Sequence, residues 1–155
     1  MKTIERRRAA ALAQQLRDQG RRVVFTNGCF DILHVGHVRY LQAARQLGDC
    51  LIVGLNSDAS VRRLKGAKRP INHQEDRAEV LSGLTAVDYV VIFDETTAED
   101  LIREIQPDIY VKGGNYCLEQ LPESRIVAGY GGKTVLIPVV PGRSTTNLLR
   151  KLEES

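Results

Sequence analysis

The chain has 155 residues, with 22 Lys and Arg, 19 Asp and Glu, and a formal net charge of +3. A hydrophobic content of 43% and a charged content of 26% are ordinary for a folded domain, and they exclude a disordered or fibrous chain. The longest apolar runs, 89–93 and 135–140, are far shorter than the ~18 residues that a membrane span needs. We therefore expect one soluble, cytoplasmic domain over residues 1–155, with an N-terminal helix in 1–20 and an α/β core in 21–155.

Helical and strand patterns alternate along the chain. The first half predicts helix 4–19, strand 22–26, a loop over 27–34, helix 35–47, strand 51–55, helix 58–64 and a basic loop over 65–70. In the second half, Asn72 and Glu75 are spaced like a capping box, and Thr97 and Asp100 open another helix. The elements predicted there are helix 72–84, strand 90–93, a helix from Thr97 to before Pro107, strand 109–112, helix 122–129, strand 134–137 and helix 145–153.

The predicted strands are apolar on both faces, which is typical of a parallel sheet covered by helices on both sides. The expected fold is a single Rossmann-like, doubly wound parallel α/β sheet. Such sheets bind ligands beyond the carboxyl ends of their strands. We therefore expect the functional site in the loops that follow Thr26, Leu55, Phe93, Lys112 and Ile137.

Two common phosphate-binding motifs do not fit the chain. The dinucleotide motif GxGxxG follows none of the predicted strands. The segment Gly132-Lys133-Thr134 resembles the end of a P-loop, but Val127 stands where the first glycine is required. It also precedes a strand, whereas a P-loop follows one.

A third phosphate signal lies between the first strand and the second helix, where the chain reads TNGCFDILHVGH over residues 26–37. His34 and His37 are three residues apart at the start of the helix, so their imidazoles share one face. The turn at Asn27-Gly28 and the helix N-terminus favour an anion there, and Gly36 lets a phosphate approach the backbone. This pattern suits a triphosphate whose developing charge is stabilised by histidine donors. No third ligand stands at a suitable spacing, so we predict no protein-bound metal at this pair.

The three cysteines, Cys29, Cys50 and Cys117, are widely spaced and include no CxxC pair. Their number and spacing argue against a disulfide framework or a zinc site. No base is placed in sequence to activate Cys29, which is interpreted as a small residue lining the core. His73 is given no role.

Charge is distributed unevenly between the two halves. Residues 1–70 hold 14 basic and 5 acidic residues, whereas residues 71–155 hold 8 and 14. The basic half could attract a polyphosphate or a nucleic acid. With 5% aromatic residues and no Trp, the chain is poorly supplied for base stacking, so we expect no nucleic-acid partner. A non-catalytic nucleotide-binding or nucleic-acid-binding module is the alternative from another functional class.

The motifs together resemble a known family. The GCFD…HVGH block is similar to the HxGH nucleotidyltransferase superfamily, which includes small cytidylyltransferases and adenylyltransferases. From about Leu16 to Leu152 the chain most resembles the D-glycero-β-D-manno-heptose 1-phosphate adenylyltransferases of lipopolysaccharide core synthesis. The resemblance is carried by LNSD at 55–58, RPIN and DRAEVL within 70–81, VKGGNY at 111–116 and GRSTTNLL at 142–149.

The resemblance implies roles for individual residues, and the sequence leaves alternatives open for several. Lys65, with Lys68 and Arg69, could instead form a solvated basic loop, and Arg77 a surface ion pair. The Ser-Thr-Thr run could be only a helix cap. Asn115 replaces the Asp more usual after KGG. The implied catalytic residues are His34, His37 and Lys65; the nucleotide-binding residues are Asn27, Gly28, Cys29, Phe30, Gly36, Lys112, Gly113, Gly114, Ser144, Thr145 and Thr146; the substrate-binding residues are Asp31, Asn56 and Arg77.

The function implied is transfer of the adenylyl group of ATP to heptose 1-phosphate, giving ADP-heptose and pyrophosphate. We expect direct in-line attack without a covalent intermediate, and Mg²⁺ that arrives with ATP. We also expect a homo-oligomer and a separate sugar kinase that supplies the heptose 1-phosphate. The alternative enzyme is a cytidylyltransferase acting on glycerol phosphate or a related alcohol phosphate.

Overall fold

The structure, a computed structural model, describes residues 2–114, 116–138 and 145–154, with only the backbone of Thr145. Within them the chain alternates between strands and helices, as the apolar patterns predict. The strands are β1 (Val23–Gly28), β2 (Cys50–Asn56), β3 (Tyr89–Phe93), β4 (Ile109–Gly113) and β5 (Lys133–Ile137). The α-helices are α1 (Arg6–Asp18), α2 (Val35–Arg45), α3 (Asp58–Lys65), α4 (Gln74–Ser82), α5 (Glu99–Ile105), α6 (Pro122–Gly129) and α7 (Thr145–Glu154), and Leu118–Gln120 forms a 3₁₀ turn.

The five strands form one parallel sheet in the order β3-β2-β1-β4-β5. The chain leaves β1 toward β2 and β3, and it later returns to the other side of β1 to add β4 and β5. The strand order therefore reverses between β1 and β4, which opens a crevice at their carboxyl ends. This topology confirms the predicted Rossmann-like α/β class.

Two apolar cores cover the two faces of the sheet. Successive strand residues point to opposite faces, so Val23 and Phe25 pack on one side and Val24 on the other. The first core joins the sheet to α1, α5 and α6, and the second joins it to α2 and α4. In the described ranges, no helix combines the length and the apolar character needed to cross a membrane.

The first strand extends further than its sequence pattern predicts. Asn27 and Gly28 were expected in a loop, but they pair with Gly54 and Leu55 of β2. Polar Asn27 interrupts the apolar run, so the pattern alone ends the strand too early. The extra pairing carries β1 to the rim of the crevice.

The predicted starts of two helices are wrong. Asn72 does not cap α4; its side-chain amide donates to the carbonyl of Asp31 at 2.7 Å, and the helix begins at Gln74. Thr97 does not open α5 either, because its hydroxyl donates to the Glu99 carboxylate and the helix begins at Glu99. Both side chains have partners that compete with the capping interaction.

Candidate active site

A cavity of about 600 Å³ lies at the carboxyl ends of the strands, where the strand order reverses. This volume is within the range of small-molecule sites. Its wall is formed by the end of β1, the start of α2, the ends of β4 and β5, and residues of α3 and α7. The lining residues are Asn27, Gly28, Cys29, Phe30, Asp31, His34, Gly36, His37, Arg39, Tyr40, Ala43, Lys65, Arg69, Lys112, Gly113, Tyr116, Ile137, Pro138 and Thr146.

His34 and His37 lie together at the start of α2, as the sequence predicts, with ring centroids 4.0 Å apart. The Gly36 amide donates to His34 Nδ1 at 3.0 Å, and the His34 amide donates to His37 Nδ1 at 3.2 Å. A ring nitrogen that accepts a hydrogen bond carries no proton, so the proton of each neutral imidazole is on Nε2. Each imidazole thus accepts a hydrogen bond from one backbone amide at the helix N-terminus. The donor that remains on each side chain is the Nε2–H group.

The electrostatic surroundings keep His37 neutral. Burial, together with the electrostatic influence of the neighbouring His34 and Lys65, lowers the pKa of His37 to about 4. At neutral pH the Nε2–H group is therefore a neutral donor. An approaching polyphosphate would raise this pKa, because an anion stabilises the charged imidazolium.

The lowered pKa of His37 predicts a pH dependence of stability. The folded-state value of about 4 is below the ordinary value near 6.5, so the folded state favours the neutral ring. The resulting stabilisation is complete above pH ~6.5 and is lost as the pH falls from ~6.5 towards 4. We expect an NMR titration of the ligand-free protein to give His37 a pKa near 4. His37→Asn should make the free energy of unfolding depend less on pH across this interval. A His37 titration near 6.5 in the folded protein would contradict this prediction.

Phe30 packs against the histidine pair. Its ring meets the His37 ring edge-on at a centroid distance of 5.4 Å. Phe30 adopts a φ of +44°, a left-handed conformation that is costly for a bulky residue. A Cβ on Gly28 would lie 2.9 Å from the Phe30 ring, so a glycine is needed where the chain turns into the cavity.

Asp31 is held by the loop that follows α3. Its side chain is 1% exposed and accepts hydrogen bonds from Arg69 Nε, the Ile71 amide and the Asn72 amide at 2.8–2.9 Å. Burial alone would raise the pKa of Asp31, but the two amides and Arg69 offset it and lower the pKa below its ordinary value. The carboxylate therefore connects two loops of the cavity wall, and the contact of Asp31 with substrate stays a prediction.

Arg77 and Asn56 are not among the described residues that line the cavity, and their contact with substrate stays a prediction. The Arg77 side chain is 0% exposed, so the alternative of a surface ion pair is wrong. Its guanidinium donates to the carbonyls of Cys29, Asn56 and Asn72, and to Asp58 Oδ1, at 2.7–2.9 Å. The Asn56 side chain donates to Ser60 Oγ at 2.9 Å. Both residues position the loops that carry the site.

The β4–β5 side of the cavity contains the predicted KGG segment. Lys112 and Gly113 line the cavity, and Lys112 Nζ is 5.5 Å from the centre of the Tyr116 ring. Gly114 is not among the lining residues. Its amide donates to the Ile137 carbonyl at 2.9 Å, which connects the end of β4 to β5. Thr146 lines the cavity from the first turn of α7. Ser144, the side chain of Thr145 and Asn115 lie outside the described residues.

Lys65 ends α3 and lines the cavity, and its role as a phosphate-binding cation stays a prediction. Lys68, on the same basic loop, is not among the lining residues. Burial raises the pKa of the Cys29 thiol, and the charges of Lys65, Arg77 and Arg69 oppose this rise only in part. Cys29 is therefore a thiol rather than a nucleophilic thiolate at neutral pH.

Sequence reasoning missed several lining residues on α2. Tyr40 is three residues after His37, and Arg39 is three residues after Gly36, so helical spacing from the HxGH motif would have found both. The Tyr40 hydroxyl lies 2.5 Å from Thr26 Oγ1 and 3.1 Å from the Val111 carbonyl, which joins α2 to β1 and β4. The other lining residues not predicted are Ala43, Tyr116, Ile137 and Pro138.

A Rossmann-like sheet with paired histidines in a cationic cavity at its switch point defines a nucleotidyltransferase site. The sequence profile described as Cytidylyltransferase-like matches residues 25–148. The chain belongs to this family, which confirms the predicted enzyme class.

Two similar proteins are much longer than this chain. Bifunctional protein HldE of Wolinella succinogenes is 60% identical over 144 residues, which cover 93% of this chain and 30% of that protein. Bifunctional protein HldE of Geobacter sulfurreducens is 58% identical over 134 residues, which cover 86% of this chain and 27% of that protein. The chain thus spans about 30% of the length of the curated relatives it matches.

A solved structure is also similar. The crystal structure of the lipopolysaccharide core biosynthesis protein from Thermoplasma volcanium GSS1 matches with a TM-score of 0.63 and 28% sequence identity. The match covers 78% of this chain and 98% of that one.

Proposed function

We propose that this chain transfers the adenylyl group of ATP to D-glycero-β-D-manno-heptose 1-phosphate, giving ADP-heptose and pyrophosphate. The observation that carries the proposal is the pair of Nε2–H imidazoles at the start of α2, which faces a cavity with Lys65 and Lys112 on opposite sides. The identity of the heptose substrate is inferred from the motif resemblance. Similarity to proteins named HldE and to a lipopolysaccharide core biosynthesis protein supports it.

The proposed mechanism is a direct displacement at phosphorus. An oxygen of the sugar phosphate attacks the α-phosphorus of ATP, the bond to the α–β bridging oxygen breaks, and pyrophosphate leaves with that electron pair. The attacking phosphate is ionised, so no proton has to be removed from it. His34, His37 and Lys65 stabilise charge on the phosphoryl oxygens, and Cys29 remains a protonated thiol.

The described part of the cavity lining offers few carboxylates for a metal ion. Asp31 is its one acidic lining residue among those described, and Arg69 and two amides already occupy its oxygens. No group of three His, Cys, Asp or Glu side chains in that part of the chain is arranged to hold a metal ion. We therefore treat Mg²⁺ as part of the Mg²⁺–ATP substrate, and no step above is routed through it.

The sugar 1-phosphate must come from a phosphoryl transfer to the sugar, the reaction of a sugar kinase. The relatives named bifunctional are more than three times as long as the matched segment, which is consistent with a second activity in the same protein. A sugar kinase is therefore part of the proposal, as is the homo-oligomer.

The second candidate is cytidylyl transfer to glycerol phosphate or a related alcohol phosphate, and the similarity to proteins named HldE does not favour it. A pyrophosphate-release assay with ATP, CTP, GTP and UTP against heptose 1-phosphate, glycerol 3-phosphate and other sugar 1-phosphates separates the two. We expect release with ATP and heptose 1-phosphate, and at least tenfold less with CTP or glycerol phosphate. Preference for CTP with glycerol phosphate would replace the proposal with the alternative. Absence of release from every pair would favour the non-catalytic module.

A further inference from the structure

A second cation, Arg69, is built into the cavity wall on the β1–β2 side. Its side chain is 18% exposed, and its Nε donates to Asp31 Oδ2 at 2.9 Å. Asp31 is itself fixed by the amides of Ile71 and Asn72. Because a guanidinium is planar and rigid, anchoring Nε also sets the direction of the two Nη groups.

The guanidinium of Arg69 does not use all of its hydrogen-bond donors. Arg69 Nη2 is buried and has no hydrogen-bond partner among the described residues. An unpaired buried donor is unfavourable, and a cationic one more so, which makes such a group a candidate for pairing with a ligand. Arg69 lines the same cavity as the histidine pair, so a ligand bound there is within reach of its guanidinium.

The cavity has cations on two sides of the histidines. Lys112 lies with Gly113 at the end of β4, whereas Lys65 and Arg69 come from the end of α3 and the loop after it, which follow β2. Nucleotidyl transfer to a phosphorylated acceptor brings together two anionic substrates, which repel each other. A second cationic group is therefore needed at the acceptor phosphate as well as at the triphosphate.

We propose that Arg69, oriented by Asp31, binds the phosphate of the acceptor and determines that this enzyme uses a phosphorylated acceptor. The inference rests on the proposed nucleotidyl transfer. In this proposal an Nη group of the guanidinium donates to one phosphate oxygen, and another oxygen of the same phosphate is left to attack the α-phosphorus. Bidentate or fixed pairing of this kind is a property of arginine that lysine does not reproduce.

The test compares Arg69→Met and Arg69→Lys with Arg62→Met. Arg62 is an exposed cation of α3 outside the cavity lining, so its loss matches the change in net charge. We expect Arg69→Met to raise the KM for the sugar 1-phosphate by about 10- to 100-fold, the effect of losing a charge-assisted hydrogen bond. The KM for ATP should change less than about twofold by the same reasoning. Arg69→Lys should raise the acceptor KM less than Arg69→Met does, and Arg62→Met should leave both constants unchanged.

Two results would overturn the inference: an acceptor KM in Arg69→Met equal to that of Arg62→Met, or a rise in the KM for ATP as large as the rise for the acceptor. The second result would place Arg69 at the triphosphate. If Arg69→Met does not fold, Arg69→Lys carries the comparison, and an unchanged acceptor KM there would count against the fork.

A binding experiment separates this inference from the proposed function. Inorganic phosphate is titrated calorimetrically into protein saturated with the α,β-methylene analogue of ATP, which fills the nucleotide site without reacting. We expect phosphate binding in the wild type and in Arg62→Met, and its loss in Arg69→Met. Equal binding in wild type and Arg69→Met, or none in the wild type, would refute the Arg69 site. Failure of every sugar phosphate to turn over would refute only the proposed function.

Discussion

Replacing His37 with Ala is expected to lower kcat by about 10²–10³-fold while the fold is retained, the typical cost of losing one preorganised donor. The physical reason is the Nε2–H group, which is set by the bond from the His34 amide to Nδ1 and is held in place by Phe30. Its contribution grows as charge develops on the phosphoryl oxygens, so kcat should fall more than the KM for ATP rises. Steady-state kinetics and a thermal melt of the same preparation measure the two effects separately.

His34→Ala should reduce kcat by a similar factor and should also reduce stability. The His34 ring accepts the Gly36 amide as the N-cap of α2, and loss of such a cap costs about 0.5–2 kcal/mol. His73→Ala is the matched control, because that ring is 83% exposed and outside the cavity lining. A kcat within twofold of the wild type in either HxGH variant would remove that histidine from the catalytic set.

Arg77→Met should lower the free energy of unfolding by about 3–5 kcal/mol, the usual cost of removing one partner from a buried ion pair. Methionine fills part of the volume, but it leaves three carbonyls and Asp58 without the donor that satisfies them. The three carbonyls belong to the ends of β1 and β2 and to the loop before α4. Urea denaturation followed by circular dichroism measures the loss.

Arg103→Met is the control for a surface ion pair. Arg103 and Asp100 are 56% and 64% exposed, so the expected change is at most about 1 kcal/mol. If Arg77→Met cost no more than Arg103→Met, the buried guanidinium would not be what holds the three loops together. A folded Arg77→Met protein should also show a lower kcat, because Arg77 holds the carbonyl of Cys29, which lines the cavity, and that of Asn72, whose amide fixes Asp31.

Local patterns were sufficient for much of the fold. Apolar runs and their spacing predicted every strand and the order of helices, because each element must bury one face or both in the core. The predicted boundaries of α6, at 122–129, match the structure, since Pro122 begins the helix and glycines follow its end. The starts of α4 and α5 were wrong because Asn72 and Thr97 use their side chains elsewhere.

The sequence by itself determined the α/β class and the placement of His34 and His37 at a helix start after a buried strand. Those features depend on residues within a dozen positions of each other, which local spacing encodes. Only the tertiary structure decided the burial of Arg77 and the pairing of Arg69 with Asp31, which is 38 residues away. In a polar stretch of sequence, nothing local distinguishes a charged residue that is solvent-exposed from one that is buried. Their environment depends on which strand ends meet, and the order β3-β2-β1-β4-β5 is set by packing across the whole chain.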